Sequence, residues 1–317
     1  MLMTLRDRIA SFAGPIHDRL IVYAAVAVAA GLLLPSVAAR LSGGVPYMLG
    51  GQVLGVAMTL TLGQFAVVAR RPLPVVLALA VQWTVLPLAG IGLFNVISDP
   101  TLRNGALIVA VAPAEIGSAL VALLAAGSGA VAITCVVGSL ALGTVLTPLW
   151  VGAVLGPGAH IDRPALIAEL TLSVAVPLFV GVSLRTWCPG LPRLRSRALD
   201  LSAVCVVLIV FVSVGSARAF VLSASLLPCI GLCAVLLLIG FGVGLALAWP
   251  WRHEAHLGRA LLFPVGMREF GIAAAVALAV SPGAVGVAGV YGAMLMTTAP
   301  ALARRLRPQH VALASVG

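Results

Sequence analysis

The sequence contains no lysine; all 19 of its basic residues are arginine. Charge of either sign is scarce, with Asp, Glu, Lys and Arg making up 9% of 317 residues. A soluble domain carries about 25%, so a water-solvated fold is excluded. Strict alternation of polar and apolar residues is also missing, which excludes a membrane β-barrel. The five cysteines (Cys135, Cys188, Cys205, Cys229, Cys233) fit no metal spacing and read as small packing residues. The histidines fall in tails or loops, and His253-Glu254-Ala255-His256 is not the HExxH of zinc hydrolases. With no His–Asp or Ser–Lys constellation, an enzyme is not expected. With no soluble basic patch, neither is a nucleic-acid partner.

What the chain has instead is apolar length. Hydrophobic residues make up 62% of it, and the mean hydropathy is +1.17. Runs of ~20 apolar residues, each enough to cross ~30 Å of hydrocarbon as a helix, recur throughout. Ten spans are expected, at 21–38, 46–64, 73–96, 104–126, 129–154, 165–184, 199–217, 225–249, 258–280 and 283–302. The first is longer than the apolar core of a secretory signal, and nothing soluble follows it. The fold class is therefore an all-α membrane protein surrounded by lipid. With the amino terminus in the cytoplasm, fourteen arginines fall on the cytoplasmic side and four on the other. Positively charged loops stay inside. Both termini are thus expected in the cytoplasm, and the bacterial inner (plasma) membrane is the expected location.

A repeat organises these spans. Sliding the chain by 154 positions places Glu115 on Glu269, Gly117 on Gly271 and Ala119 on Ala273. In the same gapless frame Gly129-Ala130-Val131 falls on Gly283-Ala284-Val285, and Gly138 on Gly292. Two halves of five spans, 1–155 and 156–317, would enter the membrane in opposite senses. Such inverted repeats are common in secondary transporters, with the substrate at the midplane between broken helices. The fourth and ninth spans are the candidates for breaking. Pro113 and Gly117 flank Glu115; Pro264, Gly266 and Gly271 surround Glu269. Proline removes a donor and glycine loosens the backbone.

Three stretches carry a family resemblance: LGVAMTLTLGQFAVVARRPLPVVLALAVQWTVLPLAG (54–90), APAEIGSALVALLAAGSGAVAITCVVGSLALGTVLTPL (112–149) and PVGMREFGIAAA (264–275). The chain resembles the bile acid:sodium symporter family, within the wider group that includes arsenite exporters. The resemblance implies a panel of spans 1, 2, 6 and 7 and a core of spans 3–5 and 8–10. Spans four and nine would cross where they unwind, with two sodium ions behind the crossing. Matched position by position, the third-span glutamine is Gln82 and the fourth-span serine is Ser118, but the asparagine after it is Ala119. The fifth-span hydroxyls fall near Ala132 and Val136, with Thr134 between. In the ninth span the family's glutamate is Pro264, its glutamine Arg268 and its asparagine Glu269. The resemblance therefore implies an altered sodium site. Gln82, Ser118 and Glu269 are its candidate ligands, and no cofactor is implied beyond a bound sodium ion.

Charges at the bilayer centre cost at least ~2.5–3.5 kcal/mol each on insertion scales, so they pair or line a pathway. Adjacent residues on a helix point ~100° apart, so Arg268 is expected to pair with Glu115 and act as a tethered cation. Glu269 is left to carry a proton or bind a cation. Gln82, Glu115, Ser118, Thr134, Arg268 and Glu269 are the expected substrate- and ion-binding residues. The expected function is a secondary transporter of a small organic anion, coupled to sodium or protons. An arsenite-type exporter, a non-transporting membrane sensor and a purely structural charge network are the alternatives at this point.

Overall fold

In the computed structural model, which describes residues 20–156, 162–188 and 192–308, the described residues are mostly helical. Arg6, Arg8 and Arg19, on which part of the arginine asymmetry rests, lie outside the described residues, as does the carboxyl-terminal tail. The helices are α1 (Leu20–Leu33), α2 (Pro35–Leu41), α3 (Val45–Ala57), α4 (Leu62–Ala69), α5 (Leu73–Val96), α6 (Pro100–Ala110), α7 (Ser118–Leu124) and α8 (Gly129–Leu155). There follow α9 (Arg163–Leu170), α10 (Val176–Trp187), α11 (Pro192–Ser216), α12 (Arg218–Val221), α13 (Leu226–Ala248), α14 (Ala255–Gly266), α15 (Phe270–Val280) and α16 (Val285–Leu306). A π-helical turn, Thr171–Ala175, joins α9 to α10.

Among the described residues six helical stretches are long and apolar enough to cross a membrane unaided: Leu73–Val96, Gly129–Leu155, Arg163–Trp187, Arg197–Ser216, Leu226–Trp251 and Pro282–Leu306. A seventh is the bent pair Val22–Leu33 and Pro35–Ala57, which turns through 105°. The structure thus differs from ten uniform spans. The first two expected spans are divided elsewhere than the hydropathy suggested. Pro35 has no N–H and disfavours helix in the residue before it, so α1 stops at Leu33. The second expected span is interrupted after Ala57 and restarts at Leu62. The fourth and ninth are each two short helices, α6 with α7 and α14 with α15, separated by non-helical residues.

Packing sets these pieces around one core. Helix α11 lies against α1, α2 and α3, and α3 also packs on α10. On the other side α13 packs on α14, α5 on α6, and α16 on α15 and α6. Small residues permit the close crossings that membrane helices use in place of a hydrophobic driving force. At the α13–α14 contact a Cβ on Gly240 would sit 2.5 Å from Gly266 O. The outward surface is apolar, with Leu33, Val96, Phe179, Leu227 and Leu238 all exposed. In lipid that surface needs no further cover.

Connecting loops meet at two ends. At one, Arg71 forms an exposed ion pair with Glu254 at 3.7 Å. There also Ser128 N–H donates to His256 O at 2.9 Å, and Arg259 Nη2 donates to Ala126 O at 3.2 Å. Asn104 Nδ2 donates to Ser281 Oγ at 3.0 Å, joining the start of α6 to the end of α15.

Candidate functional site

Each broken helix must stop, expose its terminal carbonyls and N–H groups, and restart. Buried backbone groups need partners, and here the two breaks supply them to each other. The segments run antiparallel and pair at Ala114 and Arg268. Glu115 N–H donates to Met267 O at 3.0 Å, and Glu269 N–H donates to Pro113 O at 2.9 Å. The two bonds are the same bond under the 154-residue shift. The N–H at each centre is taken by a hydroxyl from the second helix after the break, α8 or α16. Ala114 N–H donates to Ser139 Oγ at 2.9 Å, and Arg268 N–H to Tyr291 Oη at 3.1 Å.

Extended backbone sends successive side chains to opposite sides, and paired residues share a side. Ala114 and Arg268 therefore face one way, while Glu115 and Glu269 face the other. This register overturns the expected Glu115–Arg268 ion pair. The helical angle between neighbours does not apply where the chain is extended. The Arg268 guanidinium instead donates to Ala112 O at 3.0 Å and to Val265 O at 2.6 Å. Val265 O is a terminal carbonyl of α14 and Ala112 lies just past the end of α6, where helix dipoles favour positive charge. Beside Arg268 lies a void of about 10 Å³ lined by Leu86, Ala110 and Gly240.

The opposite face carries the acids. Glu269 Oε2 accepts from Ile116 N–H at 2.9 Å, and its Oε1 accepts from Gly271 N–H at 3.3 Å. Glu115 Oε1 accepts from Gly117 N–H at 3.3 Å. The Glu115 carboxyl also faces the Phe270 N–H and the Glu269 carboxyl. Each acid thus caps the amino end of its own half-helix and reaches the other. Both are buried, Glu115 at 2% exposed and Glu269 at 0%. Among the described residues no arginine forms an ion pair with either, and Glu115 Oε2 has no donor.

The other expected residues divide between these faces. Gln82 Nε2 donates to Pro264 O at 3.3 Å, on the Arg268 side. Ser118 Oγ donates to Glu115 O at 2.6 Å, closing the turn that starts α7. Gln82, Ser118 and Glu269 are thus turned to separate partners, and Gln82 Oε1 is buried without a hydrogen-bond partner. Thr134 Oγ1 donates back to Ala130 O on its own helix at 2.7 Å and is not turned to the crossing. Pro113 lies in the first break, its ring against Gly143. Pro264 lies inside α14, with the break only after Gly266.

Three contributors escaped the sequence reading. Ser139 and Tyr291 hold the central N–H groups. Gln52, from α3, donates from Nε2 to Glu269 Oε1 at 3.3 Å. The available signal was an amide inside an otherwise apolar stretch, in Gly50-Gly51-Gln52. A separate cavity of about 420 Å³ lies between α3 and the π-helical turn, lined by Tyr47, Gly50, Glu169 and Ser173 among others. It contains none of the crossing residues.

The model of the SBF-like CPA transporter family matches residues 19–296. A Bacillus subtilis (strain 168) protein named uncharacterized sodium-dependent transporter YocS is 26% identical over 282 residues, 87% of this chain and 86% of its own. The probable sodium/metabolite cotransporter BASS1, chloroplastic, of Oryza sativa subsp. japonica is 25% identical over 218 residues, 68% of this chain and 54% of its own. The BASS3 counterpart of Arabidopsis thaliana is 25% identical over 231 residues, 70% and 52%. The chain spans about half the length of these plant relatives. The resemblance to the bile acid:sodium symporter family is borne out: this multi-pass membrane protein, a transporter and not an enzyme, belongs to the SBF-like CPA transporter family.

Proposed function

We propose that the protein is a secondary active transporter that moves a small organic anion by alternating access, coupled to a cation. The cation is sodium, or a proton carried on Glu269. The observation that carries this reading is the crossing. Two broken helices meet with hydrogen bonds that repeat under a shift of 154 residues, Glu115 N–H to Met267 O and Glu269 N–H to Pro113 O. Two-fold related breaks at membrane depth are what an inverted-repeat carrier needs, because the halves can exchange conformations.

On this reading the chain forms ten spans in two inverted repeats, 1–155 and 156–317. Spans 1, 2, 6 and 7 form the panel, and spans 3–5 and 8–10 the core. Both termini lie in the cytoplasm. The Arg71–Glu254 and Ser128–His256 contacts support the sidedness, since all four residues belong to loops expected on the cytoplasmic side. Arg268 acts as a tethered cation, holding carbonyls that an ion would otherwise take. The sodium and metabolite in the relatives' names support cation coupling.

One observation favours a second reading, in which the substrate itself is positively charged. Broken-helix amino ends suit anions, but here Glu115 and Glu269 already occupy those N–H groups. Uptake into proteoliposomes, with sodium and pH gradients imposed separately, tests both. Accumulation of organic anions driven by either gradient supports the first. Accumulation of organic cations alone selects the second. Failure of both gradients to drive any solute sinks the transporter reading.

A further inference from the structure

We propose that Glu115, Glu269 and Gln52 form a binding site for one monovalent metal cation, where α3 meets the acid face of the crossing. The proposal rests on the cation-coupled reading for its purpose, but the site can be tested without transport.

Two buried oxygens on the acid face lack donors. Gln52 is 2% exposed, and its Oε1 has no hydrogen-bond partner. Glu115 Oε2 is likewise buried and without a donor. The Glu115 and Glu269 carboxyls face each other directly. A buried acceptor without a donor costs ~1–3 kcal/mol, more when charged. Glu269 lies between the two side chains, bonded by Gln52 and facing Glu115, and among the described residues no cationic side chain pairs with either acid.

Space and charge agree. A Cβ at Gly271 would lie 3.1 Å from Glu269 Oε1 and 3.4 Å from Gln52 Oε1, so both oxygens border one glycine. The related Gly117 stands 3.6 Å from Glu115 Oε1. Two carboxylates and Arg268 carry a net charge of −1, which one monovalent ion neutralises. A divalent ion would leave an excess. A proton shared between the two acids would satisfy Glu115 Oε2 but leave Gln52 Oε1 without a donor. A metal cation can draw on the acids and the amide oxygen together, and hard cations prefer oxygen ligands.

The site lies where α3 meets the crossing. Gln52 belongs to α3, which packs on α10 and α11, while both acids belong to the crossing. An ion there adds a second tie between α3 and the crossing, beside the bond from Gln52 Nε2 to Glu269 Oε1.

The test uses the full-length protein purified in detergent. Radioactive sodium binding is measured by equilibrium dialysis, and thermal unfolding is followed in sodium, lithium, potassium and choline chlorides at equal ionic strength. One sodium per chain is expected, with saturable stabilisation absent in choline. Glu115→Gln, Gln52→Leu and Gly271→Ala should each weaken binding about tenfold or more, a loss of ~1.4 kcal/mol, while Thr134→Ala leaves it unchanged. Should Gln52→Leu elute as aggregate, Gln52→Met, closer in shape, replaces it. Stability that depends on pH but not on which salt is present indicates a shared proton and overturns the proposal. So does binding that survives in the three site variants but is lost in Gln82→Leu or Ser118→Ala. Saturable binding without any driven uptake would keep the site and sink the transporter reading. Sodium-driven uptake that survives in all three variants would do the reverse.

Discussion

The two breaks, residues 111–117 and 267–269, solve one backbone problem with different side chains. In each, the central N–H goes to a hydroxyl from the second helix after the break, and the flanking bonds are interchangeable under the repeat. Each places a glutamate one residue after the pairing position. At the pairing position itself they differ: Ala114 in the first, Arg268 in the second. One break therefore supplies the only guanidinium that reaches the exposed carbonyls of both α6 and α14 among the described residues. Symmetric backbone with an asymmetric charge separates the crossing into an acid face and a basic face. Each charge is matched to the helix ends it meets rather than to its opposite.

The largest expected effect tests the symmetric part. Glu269→Gln and Glu115→Gln should each abolish gradient-driven uptake into proteoliposomes, while exchange at equal concentrations stays measurable. Because the acids act as a unit, the double variant should be no worse than either single one. Retention of full uptake by one of the two would break the comparison.

Next comes the asymmetric position. Arg268→Ala removes donors from two buried carbonyls; hydrogen bonds involving charged groups contribute ~1.5–3 kcal/mol each. Thermal unfolding in detergent should show a large loss of stability. Ala114→Gly, at the related site, should cost no more than ~1 kcal/mol. Equal losses would mean that the guanidinium does not hold the helix ends.

The hydroxyls give a smaller, matched pair. Ser139→Ala and Tyr291→Phe each leave a buried N–H without its partner, at ~1–3 kcal/mol. Similar falls in melting temperature are expected, and a fall in only one would show that the breaks are not supported alike. Smallest is the glycine pair Gly138 and Gly292, related by the same shift. A Cβ at 292 would lie 2.6 Å from Phe270 Cγ, whereas one at 138 meets only the end of Leu79 at 3.0 Å. Gly292→Ala should cost ~1–3 kcal/mol, as overpacking does, and Gly138→Ala less, by the same unfolding measurement.

Much of this was legible in the chain itself. Long apolar runs set Leu73–Val96 and Gly129–Leu155 almost to the residue, because hydrocarbon thickness fixes helix length. The repeated glutamate and glycine marked both breaks, since those two stretches repeat a charge beside helix-breaking residues in one gapless frame. Division of the first two spans at Pro35 and after Ala57 was not legible. Hydropathy averages over a window and does not register a single missing N–H.

Sequence by itself thus determined the membrane class, the doubled motif and the presence of charge at the crossing, because composition and spacing are local properties of the chain. Which charges meet was decided by tertiary structure alone. Antiparallel pairing at Ala114 and Arg268 puts the acids on one side and the guanidinium on the other, and a shift of register by one residue would reverse that. The same holds for Gln52, which lies 217 residues from Glu269 along the chain and 3.3 Å from it in space. No periodicity encodes such a contact; it exists because α3 packs against the crossing.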